Sequence, residues 1–238
     1  MTSVKIDKEA ILTNIDNKSQ AIINMGDQLF AISKNVHTFD MFLIAILNRT
    51  INLNKAFSSL VRDKNFIAAA PLVRINIDSL MRMYAARISE YDLHTFTLKV
   101  MGGEHVRNMK TNSGQKLTDK YLIDELSKID GLSWIKDIYE ASNSYIHFAD
   151  SGIFAAQTMV NKEEQTIGLS IGFHDAFIKD DYKLATIFLM DKIIDQIVLQ
   201  AQIWVHEKCE IVGFDINKLN DIEFLKSQSH KVKNAVKV

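Results

Sequence analysis

The stretch NFIAAAPLVRINIDSLMRMYAARI, residues 65–88, carries apolar side chains on nearly every side of a helix. Such a helix has to be central and largely buried, so the rest of the chain must pack around it. One feature conflicts with burial. Arg74, Asp78 and Arg82 are spaced four apart and lie above one another on a single face. An ionised side chain in a dry core is strongly destabilising unless it is paired. Two arrangements resolve the conflict: Asp78 bridges both arginines in a structural ladder, or this face looks into a polar cleft.

The surrounding sequence favours more helix. One proline and nine glycines in 238 residues leave few breaks, which suits long uninterrupted helices. A formal net charge of -1 gives no global pull toward nucleic acid or membrane, so any basic surface must be local. The lone Cys209 excludes an internal disulfide and a cysteine-based zinc site, and it suits a reducing cytoplasm. The polar start at residues 1–8 is not followed by an apolar signal region, and the longest clean apolar run, residues 41–47, is too short to span a bilayer.

Periodicity predicts the elements in order. A first helix occupies residues 7–34, with Ile11, Ile15, Ile22, Met25, Leu29 and Ile32 as its stripe. A second runs from Thr38 to Val61, capped by Thr38 and Asp40, and a polar turn leads into the central helix, which Pro71 either starts or kinks. A shorter helix over 91–100 ends at Gly102 and Gly103. Residues 104–120 form the most loop-like interior stretch, with Arg107, Lys110 and Lys116 as candidate phosphate contacts. Thr118 caps a helix through Ile129, and Ser133 caps another over 134–148. Ile167, Leu169, Ile171 and Phe173 then alternate with small residues, predicting a β-hairpin with residues 154–160 across a turn at 161–165. The last long helix, 182–212, has a seam at Ile187, Met190, Ile194, Ile197, Ala201 and Trp204, and Gly213 stops it. The expected fold is therefore mainly α: one domain over residues 1–225, a bundle of about six or seven helices with one β-hairpin near 153–173. A basic tail follows at 226–238 and reads as flexible.

The chain has no Walker loop, GxGxxG, HExxH or EF-hand loop, and no histidine follows an acidic residue at the spacing of a di-iron bundle. His206 and Glu210 share a face and read as solvent-facing. The stretch from Tyr139 to His147 is richer. Asn143 and His147 are one turn apart, and a histidine moves protons near neutral pH while an amide holds a phosphate or hydroxyl. The same histidine also reads as a helix-end residue that only makes hydrogen bonds.

These residues resemble bacterial members of the HEPN superfamily, helical-bundle proteins that include toxin and phage-defence ribonucleases. Their hallmark is an arginine, a polar residue, three more residues and a histidine. Asn143 and His147 match the last two elements, and Ser142 stands where the arginine belongs. Arg87 and His94 make a second, looser match. Leu72 to Asp78 and Ser142 to His147 also resemble uncharacterised bacterial helical proteins that pair a central Leu-x-Arg-x-x-x-acidic helix with a later histidine motif. That resemblance implies that Arg74 and Asp78 approach His147, with Arg74 supplying the charge that Ser142 lacks.

The expectation is a metal-independent ribonuclease or RNA-binding protein of a defence or toxin system, with no cofactor. His147 would act as acid or base, Asn143 would position phosphate, Arg74 or Arg82 would stabilise charge, and Asp78 would hold the arginines. RNA, a second copy in a homodimer, and a cognate antitoxin or defence protein are the expected partners. The alternative is a non-catalytic helical interaction module in which the polar cluster is structural. A shared site requires His147 and Arg74 or Asp78 to lie within about 8 Å of one another, close enough to serve one phosphate.

Overall fold

A computed structural model describes residues 7–146, 157–161, 163–169, 171–172 and 178–220. Asp7 accepts a hydrogen bond from the Glu9 N–H and opens α1 (Lys8–Ile32), whose stripe from Leu12 to Ile32 is buried. In α2 (Thr38–Arg62) the capping residue is His37 rather than Thr38. Asp40 reaches back and accepts the His37 backbone N–H at 2.8 Å.

The central helix is α3 (Phe66–Ile88), and it packs chiefly against α2, the helix at Trp134–Ile146 and the final helix at Asp180–Val212, with the shorter helices at Leu93–Met101 and Asp119–Leu126 as well. Its alanine-rich start forms helix readily, and the buried Ala69 and Ala70 let neighbours approach closely. Pro71 lies inside the helix without ending it. The half-buried positions Arg74, Asp78 and Arg82 form the face that the core leaves uncovered.

Asp92 caps α4 (Leu93–Met101), and Gly103 at φ +89° turns the chain after it. Residues 104–118 depart from the expected open loop. A single helical turn at Val106–Asn108 is followed by paired bridges, Ser89 with Thr111 and Lys110 with Lys116, and Met109 and Leu117 anchor the segment in the core. Thr118 caps α5 (Asp119–Leu126) as expected, but the helix stops three residues short of Ile129. There the Ser127 hydroxyl donates to the Asp124 carbonyl, competing with continued helix.

The next helix, α6 (Trp134–Ile146), packs on α3 and α5. The hairpin consists of β1 (Gln157–Asn161) and β2 (Thr166–Leu169), antiparallel with Val160 opposite Ile167. The turn between the strands falls within the expected 161–165, and residues 171–172, expected in the second strand, lie outside it. Residues 153–156 and 173 lie outside the described residues, as does the tail at 226–238.

The final helix, α7 (Asp180–Val212), packs along α1 and α3 with its whole seam from Ile187 to Trp204 buried. That seam is consumed inside the chain and offers no face to a second copy. Gly213 ends it in the left-handed region at φ +66°, and the Phe214 N–H returns to the Cys209 carbonyl at 2.9 Å. Seven α-helices and a two-stranded hairpin among the described residues make the bundle that the sequence predicts.

Candidate functional site

The charged row on α3 is neither a closed ladder nor a free surface. Asp78 accepts from Arg82 at 2.7 Å, one turn along the same helix. Its second arginine is Arg49 of α2, at 3.2 Å, and not Arg74. Arg82 in turn reaches Asp119, the first residue of α5, also at 2.7 Å. Burial pulls the Arg82 guanidinium down, but the Asp78 and Asp119 carboxylates outweigh it and hold its pKa above the usual arginine value. Arg82 thus meets both carboxylates through one nitrogen, while its Nη1 is buried without a hydrogen-bond partner among the described residues.

Arg74 is placed differently. Its guanidinium carbon stacks 3.7 Å from the centroid of the Tyr139 ring. Its Nε donates to the Asn143 Oδ1 at 3.3 Å, joining residues 69 apart in the chain. The nearest carboxylate among the described residues is Asp119, 4.0 Å from Nη2 and beyond hydrogen-bond distance. With its side chain 11% exposed, Arg74 is a pre-positioned cation whose ion pair with Asp119 is long and carries no hydrogen bond.

The central helix and α6 therefore meet at Arg74. Tyr139 and Asn143, spaced four apart, present one face of α6 to Arg74. His147 lies outside the described residues. Ser142, at the position of the missing arginine, is buried and donates to the Ile138 carbonyl, so it takes no part in this face.

Beyond Arg82 opens a cleft of about 620 Å³ lined by Arg82, Asp78, Asp119, Arg49, His105 and Arg107. Arg107 is exposed and makes no ion pair or hydrogen bond among the described residues. Lys110 and Lys116 are exposed on the adjoining bridged segment and do not line this cleft. Arg87 and His94 are committed elsewhere. Arg87 donates to both Glu207 oxygens at 2.6 Å, and His94 Nδ1 shares a hydrogen bond of 2.6 Å with the Thr38 hydroxyl. His206 and Glu210 are exposed as expected.

Three members of the site have no motif to announce them. Tyr139 is the most legible, because it shares the four-residue spacing of Asn143. Arg49 and Asp119 come from elements 29 residues before Asp78 and 37 residues after Arg82, and no local pattern links them. Among the described residues no group of three or more histidine, cysteine or carboxylate side chains is placed to hold a metal, and no helix is long and apolar enough to cross a membrane. Comparison with protein-family models, curated proteins and solved structures gives no match.

Proposed function

We propose that the protein is a HEPN-like, metal-independent ribonuclease or RNA-binding protein of a bacterial defence or toxin system, centred on Arg74 and Asn143. The observation that supports this reading is the Arg74–Asn143 contact at 3.3 Å, which brings together the two segments that carry the resemblance. Arg74 serves as the phosphate anchor. Stacking on Tyr139 fixes its orientation, and the gap to Asp119 leaves its charge available to a phosphate oxygen. Asn143 orients that phosphate, and His147, four residues further on, takes the proton from the 2′-hydroxyl or gives one to the leaving oxygen. Asp78 and Asp119 hold Arg82 in place, and Arg107, Lys110 and Lys116 supply sequence-independent attraction for the strand.

Total RNA incubated with the full chain in EDTA tests the reading. Cleavage is expected, and Arg74→Ala, Asn143→Ala or His147→Ala should each lower the rate by about a hundredfold or more. Intact RNA from the parent protein, with no binding, contradicts it.

One observation favours a second reading, a non-catalytic interaction module. Arg82, Arg49 and Arg87 each end on a carboxylate, as charges do when their role is to fix the fold. Under that reading Arg74→Ala alters stability and leaves RNA untouched.

A further inference from the structure

The cleft beside Arg82 carries chemistry that a cleavage centre at Arg74 does not use. Charged side chains line it together with Phe42, Val100 and Val106, which give it an apolar wall. Its volume of about 620 Å³ suits a small organic group rather than an ion.

The charges narrow the occupant. Asp78 is shared between Arg82 and Arg49, Asp119 is bound to Arg82, and Glu104 is bound to Lys99 at 3.0 Å. Each acid therefore already has a cation, and a ligand ammonium would find no uncompensated carboxylate. Arg107 is the cation left over, so the ligand carries net negative charge. The acids still have open lone pairs. Asp119 is 41% exposed, and among the described residues its Oδ2 has only the long 4.0 Å approach to Arg74. Such an oxygen accepts from a neutral N–H donor. An anion, a flat apolar body and a neutral amino donor together describe a nucleotide.

We infer that this cleft seats one nucleotide unit, its phosphate on Arg107 and Arg49, its base on the Phe42–Val100–Val106 wall, and a base amino group donating to Asp119. The inference rests on the RNA reading, in which this unit is the neighbour of the one held at Arg74 in the same strand. Asp119 makes the two places adjacent, since it lines the cleft and lies 4.0 Å from Arg74. A free nucleotide has the same chemistry and is the other source. The base contact predicts selectivity: cytosine presents an amino group for a carboxylate to accept, whereas uracil has none.

Equilibrium binding of labelled oligocytidylate and oligouridylate to the full chain in EDTA tests this, with CMP and UMP as competitors. His147→Ala in the background prevents turnover. Oligocytidylate should bind about tenfold more tightly than oligouridylate. Arg107→Ala should weaken both by about tenfold and flatten the salt dependence by about one ion. Asp119→Asn should move the preference toward uracil, because its amide donates to the uracil carbonyl. Thermal melting of each variant establishes that the fold is kept, and Arg107, exposed and unpaired among the described residues, is the safer of the two.

RNA binding that ignores both substitutions overturns the cleft assignment and leaves the RNA reading standing. Binding of CMP but not of oligonucleotides, lost in Arg107→Ala, overturns the RNA reading and keeps the cleft as a site for free nucleotide. Dependence on Arg107 without base preference overturns the Asp119 contact. No binding of either ligand overturns both.

Discussion

Two clusters of charge in this bundle follow opposite rules. At one end Lys208 of α7 and Asp40 of α2 form an ion pair of 2.7 Å with side chains 1% and 2% exposed. Further hydrogen bonds support it. Lys208 also donates to the Leu29 carbonyl of α1, and Asp40 accepts the Trp204 indole N–H and the His37 backbone N–H. Trp204 stands edge-on to Phe39, 4.9 Å between centroids, and seals the cluster. This is a dry clamp joining three helices. Along α3, by contrast, Asp78, Arg82 and Asp119 are 22%, 24% and 41% exposed, one Arg82 nitrogen has no hydrogen-bond partner among the described residues, and Arg74 comes only to 4.0 Å from Asp119. Charge that is buried and fully paired serves the fold. Charge that is half wet and incompletely paired stays within reach of solvent.

Substitutions should separate the two by size. Lys208→Ala leaves Asp40 buried and unpaired, and urea unfolding should show a loss of about 3–5 kcal/mol. Changing both partners, Asp40→Asn with Lys208→Met, should recover much of that loss, because neither charge remains. Asp78→Ala should cost about 1–2 kcal/mol, between the values for buried and exposed pairs, since water reaches its partners. A loss as large as that of Lys208→Ala would mean that the α3 row is structural after all. Arg107→Ala should stay within about 0.5 kcal/mol of the parent.

A smaller effect tests the dryness of the clamp end. Burial pushes the Cys209 thiol above its usual range, and its side chain is nearly inaccessible. Alkylation at neutral pH should therefore be slow in the folded protein and fast in urea. Rapid labelling of the native chain would show that this end of α7 opens readily.

The sequence exposes one half of this contrast and hides the other. The α3 face is legible because the four-residue spacing of Arg74, Asp78 and Arg82 is a local, helical fact. So is the centrality of α3, which follows from apolar residues on all its sides. What Asp78 and Arg82 bind is not local: Arg49 and Asp119 arrive from other helices, so the choice between ladder and cleft needed the packing. The clamp is still less legible. Asp40 has the position of a capping residue, which it also is, and its ion partner lies 168 residues away within an otherwise apolar seam. Residues 104–118 read as a loop because two isolated bridges and two buried anchors give no alternating pattern. The early end of α5 depends on one serine hydroxyl turning back to a carbonyl.

The most direct measurement is RNA cleavage in EDTA by Arg74→Ala, Asn143→Ala and the double variant, each first shown to melt as the parent does. If the two side chains act as one unit on a phosphate, each single change removes most of the activity, and the double variant is scarcely slower than the worse single. Arg74→Ala that keeps the fold and cleaves RNA at the parent rate would contradict the site at its centre.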